Sequence, residues 1–277
     1  MGFRINTNVT AMAAQRSLSQ NTKASESNLS KLSSGSRITK AADDAAGLAI
    51  SEKLKAQIRS VTQANRNAND GISMIQTAEG GLNEISSMLT RLRELAVQAS
   101  SDTVGDTERS FTNMEYQNLK LEIERISQVT EFNGTSLLNG KGKSLDFQIG
   151  IYNDDFQDRI TYDSQNINAT MGSLKIDELD VMQKGNAQSS LAVVDKAIEK
   201  VSEQRSALGA IQNRLQSTSR NLEISNENLA AANSRIRDVD YASATADNAK
   251  LNILNQAGTS VLAQANSNGQ NALRLLG

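Results

Sequence analysis

Apolar residues recur at intervals of three and four over a long stretch of the chain: Leu54, Ile58, Val61, Ala68, Ile72, Ile75, Ala78, Leu82, Ile85, Leu89, Leu92 and Ala96, with Asn65 filling one position. This is the 3.5-residue seam of a packed helix. Run from about Asp44 to Ser100, such a helix would be roughly 80 Å long and needs a partner of similar length. The partner is a second run, Leu191, Val194, Ile198, Val201, Leu208, Ile211, Leu215, Leu222, Leu229, Ala232, Ile236 and Val239, in which Arg205, Thr218 and Ser225 take seam positions. Polar seam residues lower stability but fix register. Antiparallel packing of the two runs is expected. A shorter helix is predicted from Thr107 to Thr130, after a polar loop at 101–106.

Between Glu131 and Gly185 the period changes to two. Asn133-Gly134 and Asn139-Gly140 are turn dipeptides, Leu145, Phe147, Ile149 and Ile151 alternate with polar residues, and Ile160 and Tyr162 begin a second run. A small β-hairpin region follows from this pattern. The segment from Ser173 to Val181 is too short and mixed for a helix and reads as loop. At the ends, Ile5, Val9 and Met12 form one weak stripe, and Ile253, Leu254, Ala257, Val261, Ala265, Leu273 and Leu276 another. Neither holds enough apolar area to support a lone helix in water. Both ends are expected to be disordered in an isolated chain and to become helical when partners cover them. The predicted organisation is therefore mainly α: a terminal segment and linker (1–43), the first part of a long antiparallel bundle with its hairpin region (44–185), a long C-terminal bundle helix (186–240) and a second terminal segment (241–277).

Composition narrows the chemistry. The 277 residues contain no Cys, His, Trp or Pro, and aromatic residues make up 3%. Disulfides, thiolate or imidazole metal sites, His-dependent triads and the H-E-x-x-H zinc-protease helix are excluded. The Asp43-Asp44 and Asp154-Asp155 pairs lie outside any Ca²⁺-loop pattern and read as helix cap and turn. Ser33 to Ile50 combines Gly, Ser and Lys without the Walker spacing, so it reads as a linker ending in an Asp cap. A net charge of −2 offers no excess positive field for nucleic acid. No run of roughly 20 apolar residues could span a bilayer, and the N-terminus MGFRINTNVT lacks an apolar signal region. No catalytic, metal or cofactor site is expected; amides and hydroxyls suit packing between subunits.

Several longer phrases carry a resemblance. KLSSGSRITKAADDAAGLAISEKLKAQIRS, GISMIQTAEGGLNEI, TRLRELAVQAS and EFNGTSLLNG, then SALGAIQNRLQSTSRNL, ENLAAANSRIRDVDYA and the terminal NALRLLG, resemble the N- and C-terminal regions of bacterial flagellins in order and spacing. The likeness covers about residues 1–140 and 190–277. It implies a subunit that polymerises into the flagellar filament for swimming motility, outside the cell, after passage through the type III flagellar export apparatus with an export chaperone. Its terminal segments would form an inner tube and its bundle an outer tube. The middle departs from many flagellins, since only the hairpin region stands where they carry large outer domains; the resemblance is to a minimal form.

The resemblance further implies a homo-polymer meeting filament-cap and hook-junction proteins. The assembly residues expected from the terminal stripes are Ile5, Val9, Met12, Leu254, Ala257, Val261, Leu273 and Leu276. In flagellins recognised by a Toll-like innate receptor, the contact surface matches Arg91, Leu95 and Glu115 here; a subunit-interface or helix-surface role is the competing reading for these three. The Asn-x-Thr patterns at Asn133 and Asn168 are short and common, while Ser164 and Thr170 are candidates for O-glycosylation by expected exposure. Two alternatives stay open: a hook–filament junction protein of the same export family, and a soluble ligand for a host innate receptor.

Overall fold

The computed structural model describes residues 7–274, with side chains described from 7 to 267. In chain order its elements are α1 (Val9–Ser34), α2 (Ala45–Ala99), α3 (Asp106–Val129), β1 (Glu131–Phe132), β2 (Thr135–Ser136), β3 (Ser144–Gln148), β4 (Arg159–Asp163), α4 (Met171–Leu174), α5 (Lys184–Arg237) and α6 (Tyr241–Arg274). They fall into two compact units, Ile58–Glu227 on one hand, and residues up to Gln57 together with those from Asn228 on the other. Both divisions cut inside the long helices α2 and α5 rather than at a linker, because each helix is continuous while its neighbours change along its length.

The unit Ile58–Glu227 is built on the expected antiparallel seam. Val61, Ala68, Ile75, Ala78, Leu82, Ile85, Leu89, Leu92 and Ala96 of α2 are buried, as are Val194, Ala197, Val201, Leu208 and Leu215 of α5. The direction is fixed by cross-helix pairs: Asn65 with Ser219, Glu79 with Arg205, and Arg93 with Asp195. Two seam assignments shift by one residue. Gln204 and Ser219 are buried while Arg205 and Thr218 stand half-buried beside them, since a 3.6-residue helix drifts against a 3.5-residue repeat. Helix α3 closes the bundle through Tyr116 and Ile123, both fully buried.

The hairpin region follows local chemistry. Asn133 and Gly134 have φ of 48° and 75°, which gives the two positive-φ positions of a type I′ turn joining β1 and β2. Strands β3 and β4 pair antiparallel with Leu145 opposite Tyr162 and Phe147 opposite Ile160. The alternation expected to reach Ile151 stops at Gln148, because Ile149 and Gly150 both donate backbone N–H bonds to the Asp158 carbonyl and turn the chain.

The segment read as loop is more ordered than expected. Residues 164–182 form a strap with one helical turn, α4, and with Ile167, Ala169, Leu174, Ile176 and Val181 buried. Polar side chains of α3 grip its backbone: Lys120 Nζ donates to the Asp177 and Leu179 carbonyls, Gln117 donates to Leu179, and Glu124 and Asn113 accept from the Met171 and Val181 amides. Lys200 and Gln204 of α5 hold the other side through Ser173 and Asn168. The strap thus takes the place of a fourth bundle element, and its polar backbone groups are satisfied by side chains rather than by a ladder.

Candidate assembly surfaces

The terminal segments, expected to need partner chains for helicity, are both helical and lie antiparallel against each other. Asn28 Nδ2 donates to the Ala244 carbonyl at 2.8 Å, and Asn8 Nδ2 donates to the Ala265 carbonyl at 2.9 Å, so amides tie the pair at both ends. At mid-length a Cβ on Gly258 would stand 3.2 Å from Leu18 Cδ1, which shows how closely the backbones approach. The less exposed face of α1 carries Ala11, Ala14, Leu18, Asn21, Ser25 and Asn28, and that of α6 carries Ala244, Asn248, Leu251, Asn255, Gly258, Leu262 and Ala265. These are heptad positions filled mainly by small residues and amides, with Leu18, Leu251 and Leu262 the only large apolar side chains among the ones named. No residue of α1 is buried, and the Asn255 Oδ1 is buried without a hydrogen-bond partner.

The stripes named from sequence lie largely on the other side. Val9 is 61% exposed, Met12 57% and Val261 57%, and Leu254 and Ala257 are exposed with them. Ala265 belongs instead to the seam. Ile5 and Leu276 lie outside the described residues, as does the Leu273 side chain. Leu29 and Ile253 join the uncovered apolar set; Leu29 was missed because the amide-rich positions around it hide the period.

The connections into the long helices are capped as the sequence suggests. Gly35, with φ of 68°, ends α1 in a left-handed cap. Asp44 Oδ1 accepts the Gly47 amide at 2.8 Å and starts α2. Asp43 accepts from the Thr39 and Lys40 amides and the Thr39 hydroxyl. The Lys40 amide and then the Thr39 groups hold its carboxyl below the ordinary range. Residues 35–37 and 237–239 pair as a short antiparallel bridge. Asp154 likewise accepts two amides of its own turn, from Phe156 and Gln157.

Of the three residues matched to receptor contact, the structure brings two together. Arg91 donates to Glu115 and to Glu94, each at 2.9 Å, and these partners, Glu94 first, raise its pKa. Leu95 is only 2% exposed. It belongs to the bundle core and offers no surface. Ser164 is fully buried and donates to the Leu137 carbonyl, so the exposure expected for it as a glycosylation candidate is absent; Thr170 is half-buried and caps α4.

One surface feature was not separable in the sequence. The weak period of α3 arises because two stripes interleave: Tyr116 and Ile123 face inward, while Phe111, Met114, Leu121 and Val129 face solvent. Among the described residues there is no group of three acidic, His or Cys side chains placed to hold a metal, and no helix long and apolar enough to cross a membrane.

Comparison with known proteins agrees with this architecture. Residues 5–143 match the bacterial flagellin N-terminal helical region, and residues 191–276 the bacterial flagellin C-terminal helical region. A flagellin of Halalkalibacterium halodurans is 46% identical over 272 residues, covering 98% of this chain and 99% of that one. A flagellin of Bacillus subtilis is 46% identical over 306 residues, covering 99% and 100%. Among solved structures, the Bacillus cereus flagellin crystal structure is similar with a TM-score of 0.50 and 32% identity, covering 61% of this chain and 94% of that one.

Proposed function

The chain belongs to the bacterial flagellins, and on that premise we propose that it builds its filament through the outward apolar faces of the α1–α6 pair. It is a structural subunit of the flagellar filament and not an enzyme. The observation that supports the terminal faces as the joining surface is their residual exposure: Val9, Met12, Leu254 and Val261 remain uncovered on helices whose mutual seam is thin. Exposed apolar residues aligned on a helix mark a surface awaiting a partner. In a polymer, neighbouring copies supply it, and the ordering cost of the ends is recovered when they do. Export through the type III flagellar apparatus with a chaperone, an extracellular location, and end contacts with cap and hook-junction proteins complete the reading on family grounds.

Seeded elongation followed by electron microscopy tests it. Met12→Asp and Val261→Asp should leave the unit Ile58–Glu227 folded by circular dichroism yet abolish elongation on wild-type seeds. Deleting residues 260–277 should do the same. Normal filaments from all three variants would remove the terminal faces from the assembly mechanism. A hook–filament junction role is not favoured, given flagellin identity along almost the whole chain. Burial of Leu95 in the bundle core gives it a packing role within the chain, which leaves Arg91 and Glu115 as the exposed members of the three.

A further inference from the structure

Asn-Gly occurs three times in the chain, at 133–134, 139–140 and 268–269. An asparagine followed by glycine carries its own nucleophile: the glycine main-chain nitrogen, once deprotonated, reaches the asparagine side-chain carbon, and no Cβ stands in the way. Whether it does so in a folded chain depends on how readily the local backbone opens to water. The side chain of Asn268 lies outside the described ones, so the fold can be compared at the other two pairs.

These two pairs differ in what holds them. Asn133 and Gly134 are exposed at the tip of the β1–β2 turn. Neither the Asn133 side-chain amide nor the Gly134 N–H has a hydrogen-bond partner among the described residues, and a Cβ on Gly134 would meet nothing within 4 Å. The ladder below the turn is only two residue pairs long, Glu131 with Ser136 and Phe132 with Thr135, so rotating the Asn133 main chain into a reactive form disturbs little. Asn139 and Gly140 are half-buried. Asn139 Oδ1 accepts the Lys141 amide at 3.0 Å, its backbone bridges to Asn168, and a Cβ on Gly140 would stand 2.3 Å from Asn168 Nδ2. Asn168 is itself fixed in the strap, where its carbonyl accepts from Ser173 and Gln204. The same dipeptide is free at one turn and clamped at the other.

We propose that Asn133 is a site of spontaneous deamidation, and that its conversion opens the β1–β2 turn. The Gly134 nitrogen gives its proton to hydroxide and attacks Asn133 Cγ. A C–N bond forms, the Cγ–Nδ2 bond breaks, and ammonia leaves with a proton taken from water. Water then opens the resulting succinimide ring, either at Cγ, which leaves an aspartate side chain, or at the main-chain carbonyl, which leaves an isoaspartyl linkage. No oxidant or cofactor is needed. The isoaspartyl route adds a carbon to the main chain in a turn that depends on positive φ at both of its central residues, and the ladder loses its register. Core lies immediately beyond: Leu137 and Leu138 are fully buried, and the Leu137 amide donates to the Thr130 carbonyl at 3.0 Å. Either product also places a new carboxylate close in sequence to the exposed Glu131.

Incubating the purified chain in warm, mildly alkaline buffer, below the range in which its tyrosines titrate, tests this by mass spectrometry with fragmentation that resolves the two asparagines. Asn133 should gain the mass of an amide-to-acid change at least about tenfold faster than Asn139, which must first give up its Lys141 bond and its Asn168 bridge. In denaturant the two rates should converge. The converted chain should lose amide protection at Leu137 by about tenfold or more relative to fresh protein. Asn133→Gly keeps the turn, because glycine accepts the positive φ, and should hold its Leu137 protection through the same incubation. Conversion at Asn139 that matches Asn133, no conversion at Asn133, or a rate difference that persists in denaturant would overturn the site. Unchanged protection at Leu137 in the converted chain would overturn the opening of the turn.

Discussion

The two units solve the same packing problem with opposite materials. Between Ile58 and Glu227, α2 and α5 meet through Ile75, Leu82, Ile85, Leu89, Leu92, Val201 and Leu208, all with no accessible surface. In the terminal unit, α1 and α6 meet through alanines, amides, a serine and a glycine, with Leu18, Leu251 and Leu262 only half-buried. Both seams keep heptad spacing, so both specify which faces meet. The first removes much more apolar area from water than the second, in which no residue of α1 is buried. The terminal seam is narrow and amide-bonded, and its larger apolar side chains are turned outward. One unit is consolidated within the chain, and the other is the one that the proposed filament contacts would complete.

The largest expected effect follows from that contrast. Leu89→Ala should destabilise the bundle by about 2–5 kcal/mol, because a fully buried leucine leaves a cavity that cannot collapse. Leu18→Ala should cost the monomer under about 1.5 kcal/mol, since its side chain is half in solvent already. Chemical denaturation of both variants measures the difference. Equal losses would mean that the terminal seam is as consolidated as the bundle.

A second experiment resolves the contrast along single helices. Amide protection in the monomer should rise along α2 past Ile58 and fall along α5 past Glu227, because local opening is easiest where few apolar contacts must break. In filaments the terminal amides should gain protection on the order of a hundredfold or more, equal to about 2.7 kcal/mol of partner-supplied stability. Uniform protection of α2 in the monomer would contradict the division.

Much of this was legible beforehand, for identifiable reasons. The long seam, its antiparallel pairing, the Asp44 cap and the Asn133-Gly134 turn each rest on short-range rules that the sequence obeys. The strap was not legible, because its helical turn is only Met171–Leu174 and its order comes from Lys120, Gln117 and Lys200 reaching across from distant helices. The α3 surface was blurred by two interleaved stripes. Of the terminal stripes, Val9, Met12, Ile253, Leu254, Ala257 and Val261 are exposed while Ala265 lies in the seam, and the seam that pairs α1 with α6 is not legible, since Asn, Ser, Gly and Ala carry little hydrophobic signal.

Alkali should act on the bundle. Burial pushes the Tyr116 phenol up to about 12 and raises that of Tyr162 as well. Above the ordinary phenol range the unfolded chain loses protons that the folded one keeps, so stability falls as pH rises, by on the order of 2–3 kcal/mol for Tyr116. Tyr162→Phe should remove its share of that alkaline loss. At neutral pH it should cost about 1 kcal/mol, because the hydroxyl donates to the Leu137 carbonyl at 2.9 Å. Melting curves at neutral and alkaline pH separate the two effects.

Acid should reach the terminal unit through a smaller group. The Asp43 carboxyl is held below its usual range by the Lys40 amide first and then by the Thr39 groups, so the folded state binds a proton less readily than the unfolded one. Its contribution is complete above the ordinary carboxylate range and disappears as pH falls through the lowered folded value. Asp102 and Glu122 of the bundle follow the same sign, through Lys184 and Arg125. Asp43→Asn should therefore flatten only the terminal unit's acid response, visible as a smaller pH-dependent change in amide exchange near Thr39 and Ala45 and none in the bundle. A matching change at Leu89 would show that the turn at Asp43 communicates with the bundle core, and the two units would then have to be treated as one cooperative body.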